Sequence, residues 1–162
     1  MPGPEAYAYT DGASTDSRGP RGYGAVIYRE GKTEEISSGE QNTTNLRMEL
    51  TAACVALETM DEGHVVSVYS DSSYIVNCMR RGWYKKWREK GWLNYRNKPV
   101  ANRDLWERHL EATQRHKDVQ WKKVRGHFKT GGPHKSGNDR ADKLAVAAKK
   151  EATRSPSTPP SP

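Results

Sequence analysis

Cysteine, phenylalanine and long apolar runs are scarce in this chain of 162 residues. It has two cysteines and one phenylalanine, hydrophobic residues make up 33% of it, and the mean hydropathy is −1.01. Cys54 and Cys78 lie in apolar helical patterns without metal-ligand spacing, which argues against a disulfide framework or a zinc site and favours a reducing, cytoplasmic setting. No charged leader followed by an apolar run and no run of membrane length is present, so no membrane association is expected.

Acidic residues are outnumbered as well. The chain has 27 Lys and Arg against 20 Asp and Glu, a net charge of +7 and a pI of about 9.4. This balance favours a polyanionic partner, although a basic surface that serves solubility would give the same charge. The length predicts one domain with a substantial buried core.

The first motif is the segment Glu5 to Gly12, which reads E-A-Y-A-Y-T-D-G. Its alternation predicts a strand with Tyr7, Tyr9 and Asp11 on one side, ended by Gly12. Asp11 should therefore stand at the carboxyl end of a strand, where open α/β sheets place their chemistry. Taken alone, Asp-Gly is equally typical of a turn.

Two further strands, 23–28 and 33–37, should pair antiparallel with the first through a glycine-containing hairpin. A helix is then predicted from the Thr43 to Asn45 capping turn to about Met60. Arg47, Thr51, Cys54 and Glu58 form its predicted outer face. Glu49 lies in the middle of the inner, apolar arc, where a carboxylate is costly unless it is paired or binds a cation. The alternative is that Glu49, near the helix start, reaches solvent at the edge of the sheet.

The apolar run Val65 to Ser70 predicts a central strand that ends at Asp71. A strand, a crossover helix and a further strand imply a parallel pair with a right-handed connection. Asp11 and Asp71 would then emerge at the same end of the sheet, with Glu49 on the helix that connects them. The sequence predicts that these three carboxylates converge.

A short helix over 72–81 leads into the segment Arg80 to Lys98, which holds eight basic residues and five aromatics. Basic side chains interleaved with aromatics suit a surface that follows a nucleic-acid backbone. Trp83 and Trp87, spaced i, i+4, would equally well anchor a helix. We expect the tryptophans to pack and the lysines and arginines to bind.

The remaining elements are a helix over 102–114, a strand over 119–124, a glycine-rich loop from Gly126 and a helix over Asn138 to Lys149. His109 and His116 have no evident partners and are expected at the surface. On the last helix Asp142 borders the apolar face, so it is the candidate fourth carboxylate. Asp139 points away and suits the helix dipole.

Four acids share one pocket only if a positive charge compensates them. Oxygen ligands suit Mg²⁺ or Mn²⁺, and two such ions activate a water and stabilise the leaving oxygen of a phosphodiester. The predicted reaction is metal-dependent hydrolysis of a nucleic-acid backbone.

Five motifs together resemble type 1 ribonuclease H. They are T-D-G-A at 10–13, T-T-N-L-R-M-E-L at 43–50, Y-S-D-S at 69–72, G-H at 126–127 and N-D-R-A-D-K-L-A at 138–145. The resemblance implies an α/β fold whose five-stranded mixed sheet has the order 3-2-1-4-5, with helices on both faces. It implies a catalytic domain over 1–150 with a basic protrusion at about 80–98, followed by a disordered Pro/Ser-rich tail over 151–162.

The same resemblance implies cleavage of the RNA strand of RNA–DNA hybrids, with two Mg²⁺ ions and products that carry 5′-phosphate and 3′-hydroxyl ends. Asp11, Glu49, Asp71 and Asp142 match the metal-binding acids, and His127 matches a loop histidine that assists catalysis. The expected nucleic-acid contacts are Gly12, Thr44, Asn45, Trp83, Lys85, Lys86, Arg88 and Asn102. The enzyme is expected to be a monomer.

Some positions depart from the family pattern. Leu46 stands where Asn is frequent and Ser73 where Gln is frequent, and both positions usually help to read the minor groove. The loop after His127 is long and contains His134, which is the alternative assisting histidine. Two rival functions remain: a related nuclease, such as a reverse-transcriptase ribonuclease H domain or a resolvase, and a binding module without catalysis. The standalone length argues against a polymerase fragment, and no separate N-terminal hybrid-binding domain is expected before the catalytic domain.

Overall fold

A five-stranded mixed sheet forms the centre of the computed structural model, which describes residues 5–13, 21–41, 43–124 and 133–154. The strands are β1 (Glu5–Ala13), β2 (Arg21–Arg29), β3 (Lys32–Glu40), β4 (Val65–Ser70) and β5 (Asp118–Lys123). Their order is β3-β2-β1-β4-β5, with β1, β2 and β3 antiparallel and β1, β4 and β5 parallel. The predicted sheet order and strand directions are confirmed.

Helices cover both faces of the sheet. They are α1 (Asn45–Thr59), α2 (Ser73–Arg81), α3 (Trp83–Glu89), α4 (Arg103–Gln114) and α5 (Pro133–Arg154). On one face, Ala6 and Ala8 of β1 join the main core with residues of α1, α2 and α4. On the other face, Tyr9 of β1 packs in a smaller core with Ala141 of α5. The alternation predicted for the first strand is therefore observed.

Helix α5 lies unusually close to the sheet because glycines face it. A Cβ added at Gly22, Gly24 or Gly39 would collide with the α5 backbone. This close approach holds the helix along β2 and β3 and fixes the position of its acidic residues over β1. The helix is also longer than the predicted 138–149, since it begins at Pro133 and ends at Arg154. The tail predicted from residue 151 is thus helical over its first four residues.

The outer face of α1 is covered by α4, contrary to expectation. Thr51 and Cys54 are buried, and the Cys54 thiol lies 3.9 Å from the Leu105 carbonyl oxygen of α4. Two predicted surface histidines are buried as well. His109 stacks on Trp121, and His116 Nε2 lies 2.8 Å from the Leu57 carbonyl oxygen. A helical wheel shows the two sides of one helix but not a second helix that packs on the polar side.

Within the described ranges, no helix combines the length and apolar character needed to cross a bilayer. Cys54 and Cys78 are both buried free thiols, and burial raises the pKa of each to about 12. Neither cysteine is therefore a reactive thiolate.

Candidate active site

Three carboxylates from distant parts of the sequence meet at one end of the sheet. β1 and β4 run parallel with Tyr9 opposite Tyr69, so Asp11 and Asp71 follow at the same level. Glu49, in the second turn of α1, lies between them. One oxygen of each carboxylate is within 4.8 Å of the others. The convergence predicted from the βαβ connection is observed.

Burial and mutual repulsion dominate the electrostatics of this cluster. Only 8% of Asp11 and 9% of Glu49 is exposed. Burial and then the charge of Asp71 raise the pKa of Asp11 well above its usual range, although the Gly12 N–H donates to Asp11 Oδ1 at 2.9 Å. Burial, and then the charge of Asp71, also raise the pKa of Glu49, while a hydrogen bond with Ser72 lowers it. The acids destabilise one another unless a cation is bound.

Asp142 of α5 reaches the cluster from the other side. Its hydrogen bonding with Asp11 and its charge both contribute to the raised pKa of Asp11. The side chain is otherwise exposed, so Asp142 lies at the open rim while Asp11 and Glu49 form the closed end. The choice of Asp142 rather than Asp139, one turn earlier, as the fourth carboxylate stays a prediction.

The cluster has the chemistry of a divalent cation site. Asp71 Oδ1 is buried and has no hydrogen-bond partner among the described residues. Its neighbours in the cluster are also carboxylate oxygens, which suit Mg²⁺ or Mn²⁺. A bound cation would satisfy this oxygen and relieve the repulsion, so the residues present fit a metal.

The start of α1 lies beside the cluster. Thr44 caps the helix, because its hydroxyl accepts from the Arg47 N–H at 3.2 Å. A Cβ added at Gly12 would lie 3.1 Å from Glu49 Cγ and 3.2 Å from Asn45 Oδ1. Gly12, Asn45 and Glu49 are therefore neighbours, and a side chain at position 12 would fill the space between them.

The segment predicted as a basic protrusion forms α3 and the turns that follow it. Trp83 and Trp87 are partly buried and pack against the main core. The Trp87 and Trp106 ring centroids are 5.5 Å apart, and Trp92 is buried. The tryptophans pack, as expected.

Lys85, Lys86 and Arg88 of α3 are exposed, and none forms an ion pair within the described part of the chain. An aromatic cavity of about 420 Å³ opens beside them. Its lining residues are Tyr74, Trp83, Lys86, Trp87, Lys90, Leu93, Asn94 and Tyr95. The protrusion presents positive charge and aromatic rings together to solvent.

Asn102 lies at the start of α4 with a left-handed backbone, at φ 63°. Its side-chain oxygen accepts from Arg47 Nη1 at 3.0 Å, and Arg47 also binds both oxygens of Asp104, at 3.1 and 2.9 Å. Arg47 therefore ties α1 to α4, a role that its position on the predicted outer face did not indicate.

Ser72 is a second residue that sequence reasoning missed. Its hydroxyl caps α2 by accepting from the Ile75 N–H at 3.3 Å, and it lies near enough to Glu49 to lower the pKa of that carboxyl. The serine directly after Asp71, before a helical pattern, was the available signal.

Four further predictions concern two histidines and two departures from the family pattern. His127 lies outside the described residues. His134 falls in the first turn of α5 rather than in a loop. Leu46 is half-buried against the main core, and Ser73 accepts a hydrogen bond from Lys123.

Comparison with known sequences identifies the family. The RNase H family model matches residues 4–150. The ribonuclease H of Desulforamulus reducens is 46% identical over 147 residues, which cover 91% of this chain and 89% of that protein. The ribonuclease H of Moorella thermoacetica is also 46% identical, over 144 residues that cover 89% of this chain and 91% of that protein.

Solved structures share the fold. LC9-RNase H1, a type 1 RNase H with the type 2 active-site motif, has a TM-score of 0.77 at 28% identity, covering 93% of this chain and 74% of that chain. LC11-RNase H1, solved in complex with an RNA/DNA hybrid, has a TM-score of 0.64 at 24% identity, covering 91% and 99%. With the family model matching most of its length and close relatives aligned over nearly all of it, the chain belongs to the ribonuclease H family.

Proposed function

We propose that this protein is an endoribonuclease that hydrolyses the RNA strand of RNA–DNA hybrids and leaves 5′-phosphate and 3′-hydroxyl ends. The observation that carries the proposal is the buried carboxylate cluster of Asp11, Glu49 and Asp71 in a ribonuclease H chain. Relatives at 46% identity are ribonucleases H, and LC11-RNase H1, which shares the fold, binds an RNA/DNA hybrid.

Asp11, Glu49, Asp71 and Asp142 are the residues that would hold two divalent cations, Mg²⁺ or alternatively Mn²⁺. When bound, the two ions supply an activated water and stabilise the charge on the leaving oxygen. Asp11 and Glu49 line the buried end of the site, where low solvent access strengthens electrostatic interactions. Asp142 closes the site from the exposed side, and the proposed role of His127 is to assist proton transfer.

Substrate selection follows from the surfaces on either side of the cluster. Gly12, Thr44 and Asn45 lie beside the carboxylates and are placed to test the cut strand for 2′-hydroxyls, which distinguish RNA from DNA. Asn102 extends this surface at the start of α4. The protrusion begins at the far end of α2, and its Lys85, Lys86, Arg88 and Trp83 hold the DNA strand by its backbone.

The catalytic unit is proposed to comprise residues 1–150, acting as a monomer. The family match over 4–150 supports this extent. The two free buried thiols are compatible with a reducing compartment, and we propose the cytoplasm as the site of action.

The decisive assay compares an RNA–DNA hybrid, duplex DNA and duplex RNA of one sequence, each with Mg²⁺ and with EDTA. We expect cleavage of the hybrid alone, in Mg²⁺ alone. Hybrid binding without cleavage would favour the binding module, and cutting of branched DNA in preference to the hybrid would favour a resolvase.

A second assay tests strand recognition, with end-labelled duplexes that carry one, four or many ribonucleotides. Several consecutive 2′-hydroxyls should be required, so a single ribonucleotide within DNA should be cut poorly. Efficient cleavage at the single ribonucleotide would contradict the proposed recognition by Gly12, Thr44 and Asn45.

A further inference from the structure

Among the residues that the structure describes, one basic side chain beside the carboxylate cluster has no acidic partner. Lys123 is the last residue of β5 and lies opposite Ser70, the residue immediately before Asp71. Its Nζ donates to the hydroxyl of Ser73, the first residue of α2. Both Lys123 and Ser73 are exposed, so a ligand can reach them from solvent.

Lys123 shares the lack of an ion pair with Lys85 and Lys86 of the protrusion among the described residues, but differs from them in its position opposite Ser70, next to Asp71. Five arginines in the described residues form ion pairs with carboxylates: Arg29 with Glu34, Arg47 with Asp104, Arg103 with Glu107, Arg108 with Glu58 and Arg140 with Glu35. Four of these pairs connect different elements, whereas Arg103 and Glu107 both lie in α4. Lys123 has no carboxylate partner in the same ranges, and its one recorded contact is neutral. An ammonium has three donors, so two remain for a ligand.

The position of Lys123 and Ser73 indicates which strand of the hybrid they meet. Ser73 follows Asp71 by two residues, and two residues span at most about 7 Å. The protrusion lies at the opposite end of α2, a nine-residue helix about 13 Å long. The Lys123 ammonium is therefore on the side of the strand that is cut and not on the side of the strand held by the protrusion.

We propose that Lys123, oriented by Ser73, binds a backbone phosphate of the RNA strand next to the linkage that is cut. The inference rests on the proposed function, because it takes the carboxylate cluster as the position of the cut linkage. A phosphate suits this site, since lysine binds phosphate as a point charge. The contact makes Lys123 a substrate-binding residue that raises affinity without taking part in the chemistry.

The test replaces Lys123 by Gln in the full chain, with Lys122→Gln as the matched control. Lys122 is the preceding residue, carries the same charge and points to the other face of β5, where its Nζ lies 5.7 Å from the centre of the Tyr69 ring. Lys123→Gln should raise KM about tenfold, the loss expected for a charge-assisted hydrogen bond, with kcat within twofold. Lys122→Gln should leave KM within twofold, and Lys123→Arg should restore most of the affinity.

Salt dependence and a neutral linkage make the test specific for phosphate. In Ca²⁺, hybrid binding by Lys123→Gln should show a log–log salt slope reduced by about 0.9, the value for one phosphate contact on duplex DNA. A second set of hybrids replaces one phosphate of the RNA strand at a time by an uncharged methylphosphonate, with a deoxynucleotide at that position, close to the cut. Replacement at one of these positions should weaken binding by the parent protein. The same change should not weaken Lys123→Gln further, as in a double-mutant cycle.

Each contrary outcome has a distinct meaning. If the parent cleaves the hybrid but Lys122→Gln and Lys123→Gln change the slope equally, the effect is one of net charge and the proposal fails. A fall in kcat with unchanged KM would mean that Lys123 acts on the carboxylate cluster, which also overturns it. If the parent does not cleave the hybrid at all, the proposed function itself has failed.

Discussion

The carboxylate cluster and the basic protrusion differ in charge, in burial and in how the chain assembles them. Asp11, Glu49 and Asp71 come from three separate elements and lie buried with like charges together. The protrusion comes from one continuous segment, and its Lys85, Lys86 and Arg88 are exposed to solvent. The sheet and α1 hold the three carboxylates together despite their electrostatic repulsion. The charged side chains of the protrusion are solvated, so their positions depend little on tertiary packing.

This difference predicts how the two regions respond to substitution. A change in the cluster should affect the chemical step and should relieve electrostatic repulsion in the metal-free protein. A change in the protrusion should affect substrate affinity and its salt dependence, with little effect on stability. A substitution in the cluster should therefore lower activity while raising the stability of the metal-free protein. A substitution in the protrusion should lower substrate affinity and leave stability nearly unchanged.

The largest effect is expected for Asp11→Asn. Loss of this carboxylate should reduce cleavage at least about a thousandfold, because each interaction of about 4 kcal/mol removed from the transition state costs that factor. Hybrid binding in Ca²⁺ should remain within a few fold. In EDTA at pH 9, above the pKa of about 8 to which burial raises Asp11, the variant should melt at a higher temperature than the parent, since a buried like charge is removed.

Addition of Mg²⁺ provides the control for Asp11→Asn. It should raise the melting temperature of the parent, because a ligand that binds only the folded state stabilises it, and should raise that of the variant much less. Equal Mg²⁺ stabilisation of both proteins, or turnover near the parent rate, would show that Asp11 is not a metal ligand.

Asp142→Asn should come next, with Asp139→Asn as its matched control on the same helix. Asp142 contributes to the raised pKa of Asp11 and so acts on the cluster, and its loss should lower kcat by about a hundredfold, a removal of roughly 3 kcal/mol. Asp139→Asn should remain within a few fold of the parent. The reverse ranking in steady-state kinetics would place the fourth carboxylate one turn earlier on α5.

The sequence was most informative where chemistry and topology coincide. Asp11 and Asp71 end strands, and a right-handed crossover brings those ends together, so their meeting could be inferred without coordinates. The burial of Cys54 and His109 could not, because a wheel gives the direction of a side chain but not the helix that packs on it. The packing of Ala152 on Gly39, beyond the predicted end of α5, is likewise a tertiary contact that the sequence pattern does not show.

In the protrusion, the combined change of Lys85, Lys86 and Arg88 to Gln should raise KM at least tenfold while kcat stays within about twofold. The log–log salt slope of hybrid binding should fall by up to about 2.7, which is 0.9 for each lost phosphate contact on duplex DNA. A charge-matched control replaces Lys32, Lys149 and Lys150, at the far edge of the molecule. If the control variant lowers the salt slope by the same amount, the protrusion affects binding only through the net charge of the protein.

The core beneath the protrusion, where His109 of α4 packs against Trp106, should make the free energy of unfolding sensitive to acid. His109 is fully buried between Trp106 and Trp121, and burial lowers its pKa to about 3. A histidine whose folded pKa is depressed contributes stability above its unfolded pKa of about 6.5, and this contribution is lost as the pH falls towards 3. His109→Phe should therefore flatten the decline in unfolding free energy between pH 6.5 and 3.

The same substitution should not weaken the protein at neutral pH. Neither ring nitrogen of His109 has a hydrogen-bond partner in the described structure, and Phe removes both while keeping the stack. Urea titrations across the pH range, with activity at pH 7 as the control, measure this. An unchanged acid slope would indicate that other groups control acid unfolding.

The smallest effects should come from the chain end, which is remote from both regions. The family match ends at residue 150, whereas α5 continues to Arg154 and the Ala152 carbonyl accepts from Gln41 Nε2 at 2.9 Å. A chain that ends after Arg154 keeps this bond and should melt within error of the parent. A chain that ends after Lys150 loses the bond and the packing of Ala152 on Gly39, together about 1–2 kcal/mol, and should melt several degrees lower.

Both shortened chains should retain the parent kcat and KM at 25 °C, because Asp142 and the protrusion are intact. Equal melting temperatures would mean that the domain ends where the family match ends, and a loss of kcat in either chain would show that the chain end reaches the cluster.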